Sequence, residues 1–207
     1  MINRKSITEI DKLFDEIKYD KIKPVKDGIV DVDQYSKAKF RILWVLKEAN
    51  SKNFGGWDLR SFIANDLLGY HNWRRTYNLI TYVTWGILNG FPKWKKQSRG
   101  WEAEHITILQ KIAFINLKKI PGASSSSDSE IKSEFQNNKE IIFKQIEAFN
   151  PDIVIFGGTK KYLNLNDFNK ITDNNKRIIV STFHPNARKS HQTYYENVIN
   201  HIKDTLE

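Results

Sequence analysis

Four short apolar segments, each of strand length and each followed by a loop, constrain the fold of this chain most. They are 40–46, 112–117, 152–158 and 177–183. Near-continuous apolar runs are typical of parallel strands that are covered on both faces. Segments with helical periodicity separate the runs, and strands that alternate with helices predict a parallel sheet. We therefore predict an α/β fold, a three-layer α/β/α sandwich with a central, mainly parallel four-stranded sheet.

The segments between the strands carry helix signals. Apolar residues at helical spacing predict a first helix over 7–22, and 57–112 is mainly helical. Ser127 and Glu130 fit a capping box, which predicts the start of another helix, and a closing helix begins near Ser190. The chain has 207 residues and no internal repeat or linker, so we expect one domain over 1–207.

Composition limits the chemistry that the chain can perform. It has no cysteine, which excludes disulfides, thiolate nucleophiles and cysteine-ligated zinc or iron–sulfur sites. The five histidines form no recognised metal spacing, so we expect no metal and no other cofactor. No apolar run approaches the roughly 20 residues that span a bilayer. With no secretory signal evident either, we expect a cytoplasmic protein without membrane contact.

The net charge of +9 favours attraction to a polyanion, usually a nucleic acid. The alternative is a lysine-rich, solvated surface. The segment 91–101 places Trp94 and Trp101 among basic residues, which suits stacking and phosphate contacts on unpaired nucleic acid. An equally good alternative for this segment is a loop folded over the helices.

Polar side chains follow three of the predicted strands, where the ligands of open α/β sheets bind. Glu48 follows the first strand, Asn116 lies at the end of the second, and His184 follows the fourth. A carboxylate that orients water, an amide that reads a base edge and a histidine that stabilises negative charge together suit cleavage of an N-glycosidic bond. The alternatives are a surface ion pair with Lys47 or Lys52 for the carboxylate, a turn-making amide and a structural histidine.

The order of these segments resembles the uracil-DNA glycosylase superfamily. Residues 47–50, Lys-Glu-Ala-Asn, are similar to the Gly-Glu-Ala-Pro-Gly motif of one branch, and 115–119 resembles the strand whose Asn recognises the base. Residues 150–157 resemble the family's segment of a proline, a hydrophobic strand and a glycine. Residues 181–188 contain His-Pro and resemble the terminal His-Pro-Ser-Pro motif.

The resemblance covers roughly residues 40–205 and departs from the family at several positions. Lys47 and Asn50 stand where the first motif has Gly and Pro, and Asn186 and Ala187 replace Ser and Pro in the last motif. The four cysteines of the iron–sulfur branch are absent. These departures leave open which base is recognised and whether catalysis is retained.

The resemblance implies a DNA glycosylase that everts a damaged or modified base, uracil or a related pyrimidine, and hydrolyses its N-glycosidic bond. The resemblance assigns the catalytic roles to Glu48 and His184. It assigns base contacts to Asn116, and we expect Phe54 or Trp57 as the stacking partner. The residues expected to contact the DNA backbone are Arg188, Lys189, Lys118 and Lys119. The expected partner is DNA and the expected state is a monomer, while the main alternative is a catalytically silent DNA-binding relative. A third alternative is an unrelated α/β enzyme that acts on a nucleotide.

Overall fold

The computed structural model describes residues 2, 4–17, 19, 21–51, 55–94, 103–122, 126–172 and 176–207. The strands are β1 (Gly28–Ile29), β2 (Ile42–Leu46), β3 (Ile112–Asn116), β4 (Ile153–Gly157) and β5 (Ile178–Thr182). The α-helices are α1 (Arg4–Glu16), α2 (Val32–Lys37), α3 (Leu59–Ser61), α4 (Arg74–Leu88), α5 (Ala103–Ile106), α6 (Asp128–Phe149), α7 (Leu165–Thr172) and α8 (His191–Leu206). Short π and 3₁₀ turns link α3 to α4, at Phe62–Asp66, Leu67–Gly69 and His71–Trp73.

The strands form one sheet in the order β1-β3-β2-β4-β5. Strands β3, β2, β4 and β5 are parallel to one another. At the carboxyl edge Leu46 of β2 lies opposite Asn116 of β3, and Gly157 of β4 lies opposite Thr182 of β5. The four parallel strands therefore end at the same edge of the sheet, and the loops that follow them are brought together there.

The predicted α/β fold is confirmed, but the mainly parallel sheet has five strands instead of four, and one of the five is antiparallel. The additional strand, β1, is antiparallel to β3, with Gly28 opposite Phe114 and Ile29 opposite Ala113. Two residues are too few to show the period-two alternation by which a strand is recognised in a sequence. The first helix also ends earlier than expected, at Glu16 instead of near residue 22.

Helices flank the sheet, and each face of the sheet contributes to its own core. Ile42, Trp44 and Leu46 belong to a core that includes apolar residues of α4 and α8. Leu43 and Val45 belong to a second core with residues of α1 and α6. Successive strand residues point to opposite faces, so β2 is buried along its whole length and reads as a continuous apolar run.

Side-chain caps begin the two long helices that follow the strand exits. The Ser127 hydroxyl accepts a hydrogen bond from the Glu130 amide at 3.1 Å, which confirms the predicted start of α6. Ser190 caps α8 by accepting from the Thr193 amide. The Glu130 carboxylate contacts Lys118.

Across the described ranges, no helix is both long enough and apolar enough to cross a membrane.

Candidate active site at the strand exits

A cavity of about 1150 Å³ opens at the carboxyl edge of the sheet. Its lining includes Glu48 from the loop after β2, Asn116 from the end of β3 and His184 from the loop after β5. Trp57 lines the same cavity. Residues that are up to 136 positions apart in the chain therefore meet at one site, because parallel strands direct their carboxyl ends to a common edge.

The Glu48 carboxylate is held firmly on one side of the cavity. Its side chain is only 8% exposed, and Lys118 Nζ lies 3.1 Å from Oε2. The Ser126 hydroxyl donates a hydrogen bond to Oε1. The carboxylate also lies directly against Gly122, where a Cβ would overlap it. These contacts orient the carboxylate.

Asn116 is positioned by a buried polar cluster behind the cavity. Its backbone amide donates to Asp27 Oδ2 at 2.8 Å. Lys119 Nζ lies 2.9 Å from both Asp27 oxygens and 2.9 Å from Gln145 Oε1, and Gln145 Nε2 donates to Asp27 Oδ1 at 2.7 Å. Burial lowers the pKa of Lys119, and the attraction of Asp27 opposes that shift. The cluster fixes the backbone from which the Asn116 side chain projects.

His184 is held as a neutral imidazole. Burial, followed by the positive charge of Lys47, lowers its pKa to about 4. The Asn186 amide donates to Nδ1 at 3.1 Å. A neutral imidazole carries one proton, and a ring nitrogen that accepts a hydrogen bond cannot carry it. The proton therefore resides on Nε2, which makes that atom the hydrogen-bond donor of the ring.

The turn at His184 depends on a close approach to the exit of β4. Gly158 has a φ of +74°, and a Cβ there would lie 3.0 Å from the His184 backbone nitrogen. The Gly158 amide donates to the Thr182 carbonyl at 2.8 Å, which ties the two strand exits together. Glycine adopts this positive φ without strain and leaves room for the turn.

Aromatic side chains form one wall of the cavity. Trp57, Phe62, Tyr70, Trp73 and Tyr77 all line it. The Trp73 and Tyr77 rings stack with their centroids 5.6 Å apart. The Trp57 and Trp73 rings meet edge to face with their centroids 6.1 Å apart. Trp57 is therefore part of the cavity wall, next to Trp73. Phe54, the other expected stacking residue, falls outside the described residues.

The structure contradicts two of the expected DNA contacts. Lys119 is completely buried in its pair with Asp27, and a phosphate cannot reach it. The Lys118 side chain is only 7% exposed and contacts Glu48 and Glu130. Burial acts against its charge, but the hydrogen bonds to Glu130 and Glu48 outweigh burial and raise its pKa. The two lysines neutralise internal carboxylates, which a sequence cannot reveal.

The other two expected DNA contacts remain available at the surface. Arg188 and Lys189 are exposed, and they follow Asn186 and Ala187, which line the cavity. Lys189 Nζ lies 4.6 Å above the ring of Phe183, a side chain that is itself 57% exposed. A basic and aromatic surface therefore adjoins the His184 side of the cavity.

Sequence reasoning missed Asp27, Trp73, Tyr77 and Ser126. Trp73 and Tyr77 are four residues apart, a spacing that places two rings on one face of a helical segment. That spacing was a usable signal. Asp27 and Ser126 carried none, because their roles depend on partners that are distant in the chain, Lys119 and Glu48.

Within the described part of the chain, no group of three or more histidine, aspartate and glutamate side chains is arranged to hold a metal ion. No protein-family model and no curated protein matches the sequence. The geometry of the cavity and the resemblance of the motifs are therefore the two indications of function.

Proposed function

We propose that this chain is a DNA glycosylase, a divergent relative of the uracil-DNA glycosylase superfamily, which hydrolyses the N-glycosidic bond of an everted base. One observation carries the proposal: Glu48, Asn116 and His184, from three separate strand exits, line one cavity. At about 1150 Å³ the cavity is somewhat larger than the roughly 300–1,000 Å³ that is typical of small-molecule sites. It has room for a base together with its sugar.

The geometry supports a distinct role for each residue. Glu48, oriented by Ser126 and Lys118, stabilises positive charge on the sugar and orients the attacking water. Asn116 contacts the edge of the base, and Trp57 offers a ring on which the base stacks. His184 donates its Nε2–H to the departing base.

The reaction needs no cofactor. The C1′–N bond breaks and its electron pair leaves with the base. The oxygen of a water molecule bonds to C1′, and a proton from that water goes to the base or to solvent. The products are a free base and an abasic site.

DNA is the proposed partner because of the surface near His184. Arg188 and Lys189 are exposed beside the cavity, and the chain carries a net charge of +9. Cations in these positions bind phosphates and place the strand in register without selecting the base. The aromatic wall then receives the base that leaves the stack.

The test is base release from DNA strands that each carry one modified pyrimidine, with uracil as one member of a broad panel. Under single-turnover conditions we expect a free base and an abasic site. His184→Ala should lower the rate by roughly a hundredfold or more, because it removes a contact to charge that develops in the transition state. DNA affinity should change little.

His201→Ala is the matched control, because His201 lies on α8, where its Nε2 is 3.0 Å from the Ile179 carbonyl and it does not line the cavity. Its rate should equal that of the wild type. Equal losses in both variants would mean that His184 has no specific role.

One observation favours the alternative of a catalytically silent DNA-binding relative. The Glu48 carboxylate already has two partners, Lys118 and Ser126, and fewer of its lone pairs are free for water. Glu48→Gln distinguishes the two alternatives. In an enzyme it should abolish base release, whereas in a silent relative it should leave DNA binding unchanged. Tight DNA binding with no base release across the panel would establish the silent relative.

A further inference from the structure

The cavity is larger than one everted nucleotide requires. At about 1150 Å³ it exceeds the usual size of sites that hold drug-sized ligands, and a base with its sugar is smaller than most such ligands. Part of the lining comes from the segment 62–73, which links α3 to α4. The roles proposed for Glu48, Asn116, His184 and Trp57 do not involve this segment, so a second ligand group has room beside it.

The linking segment presents one face to the core and the other to the cavity. Ile63 and Leu67 are 4% and 1% exposed and belong to the core that β2 shares with α4. Phe62, Asp66 and Tyr70 line the cavity. They are spaced four residues apart across a π turn and a 3₁₀ turn, and π turns are frequent at functional sites. The two buried side chains therefore hold the cavity face in position before a ligand binds.

Aromatic rings continue from Trp57, the proposed stacking partner of the everted base, to the surface. The Trp57 and Phe62 ring centroids are 5.8 Å apart. The Phe62 ring lies 5.0 Å from Tyr70 and 4.9 Å from Trp73. Tyr70 is 54% exposed. An exposed ring that other rings support from behind is a platform on which a planar base can stack.

The charges around this platform indicate how a ligand would lie on it. The exposed Asp66 carboxylate disfavours a phosphate and can accept a hydrogen bond from a base N–H. Arg74 and Arg75 are exposed and lie between Trp73 and Thr76, which both line the cavity. Rings bordered by cations are typical of sites for unpaired nucleic acid, in which the bases stack and the phosphates contact the basic side chains.

We propose that Phe62, Tyr70 and Trp73 form a second stacking subsite, which binds the base of the nucleotide adjacent to the everted one. Arg74 and Arg75 bind the phosphates that border this nucleotide. The inference rests on the function proposed above for its DNA partner, but not on base release. A base within a duplex is paired and stacked, and it cannot enter the subsite until its pairing is broken. The substrate is therefore DNA with at least two adjacent unpaired nucleotides, as in a single strand or a loop.

The first experiment measures binding by fluorescence anisotropy with two short, labelled single strands of thymidines. One strand carries a single tetrahydrofuran abasic residue, and in the other strand the residues on both sides of it are abasic as well. The wild type should bind the first strand about tenfold or more tightly than the second, because only the first offers a base that can stack beside the abasic residue. Tyr70→Ala should lose this preference, and Tyr70→Phe should keep it.

Leu165→Ala is the matched control, because Leu165 is a large apolar side chain on α7 that is 73% exposed and does not line the cavity. It should bind both strands as the wild type does. An unchanged urea midpoint shows that Tyr70→Ala is folded. Equal wild-type affinity for the two strands, or an equal loss on both strands in Tyr70→Ala, would overturn the proposal.

The second experiment tests the class of substrate. A longer strand with the same single abasic residue is measured with and without its complement. Pairing should weaken wild-type binding by about tenfold or more, and Tyr70→Ala should reduce this difference. Equal wild-type binding to the paired and unpaired forms would overturn the requirement for two unpaired nucleotides.

The salt dependence of binding to the unpaired strand tests the arginines. Arg74→Ala and Arg75→Ala should each reduce the slope of log affinity against log salt concentration by roughly 0.7, because each removes one phosphate contact. Unchanged slopes in both variants would overturn the assignment of the phosphates. If the wild type binds none of these DNAs, the proposed function and the inference fail together. If the wild type releases a base from DNA but does not distinguish the two short strands, only the second subsite fails.

Discussion

Replacement of Lys119 by methionine tests the buried cluster that supports Asn116. Methionine is close to lysine in length and apolar character but has no charge, so the change removes the ammonium group while largely preserving the packing. Lys119 Nζ makes three contacts of 2.9 Å, two to Asp27 and one to Gln145, and the Lys119 and Asp27 side chains are both 0% exposed. Without the ammonium, the donors that Asp27 retains among the described residues are Asn116 N and Gln145 Nε2.

Removing one partner of a fully buried ion pair typically costs about 3–5 kcal/mol, because the other charge remains buried without compensation. We expect Lys119→Met to lower the free energy of unfolding by about this amount. The measurement is urea denaturation followed by the fluorescence of the six tryptophans. Lys144→Met, which breaks an exposed pair with Glu140 on α6, is the control and should leave the midpoint nearly unchanged.

A double-mutant cycle completes the test. Asp27→Asn combined with Lys119→Met removes both charges, so the double variant should be more stable than the sum of the two single losses implies, by about 1–3 kcal/mol. A loss below about 1 kcal/mol in Lys119→Met, or strictly additive losses, would refute the idea that the two charges depend on each other.

Two further predictions concern the DNA surface and pH. Arg188→Ala and Lys189→Ala should each reduce the slope of log affinity against log salt concentration by about 1, because each removes one phosphate contact. Lys203→Ala on α8 is the control and should leave the slope unchanged. Unchanged slopes in the first two variants would exclude the surface beside His184 as the DNA contact. The second prediction follows from the lowered pKa of His184, which is about 4 in the folded protein against 6.5 normally. Between these pH values the unfolded chain binds the additional proton, so stability should fall as the pH falls from 6.5 to 4. His184→Gln should lack this part of the pH dependence. The free energy of unfolding is measured against pH for both proteins, and parallel profiles between pH 4 and 6.5 would contradict the prediction.

Local pattern was sufficient for much of the fold. The four parallel strands lie within the predicted apolar runs. Strands β2, β3 and β4 are buried at every position and are therefore almost wholly apolar, whereas the edge strand β5 is only partly buried. The starts of α6 and α8 lie at Ser127 and Ser190 because a capping hydroxyl bonds to an amide only three residues away. The rule that ligands bind at strand exits then selected Glu48, Asn116 and His184.

The tertiary structure decided which side chains are free to act. Lys118 and Lys119 resembled surface cations in the sequence, yet one pairs with Glu48 and Glu130 and the other with the buried Asp27. The burial and pairing of the two side chains depend on carboxylates between 12 and 92 positions away, which no local pattern encodes.

The sequence by itself determined the four parallel strands, the starts of α6 and α8 and the three polar residues at the strand exits, because burial and capping depend on a few neighbouring positions. Only the tertiary structure decided that those residues line one cavity, that Trp73 and Tyr77 form part of its wall, and that His184 keeps its proton on Nε2. The physical reason is that sheet order, burial and the approach of distant charges set the electrostatics of a site. All three arise only when the strands have assembled.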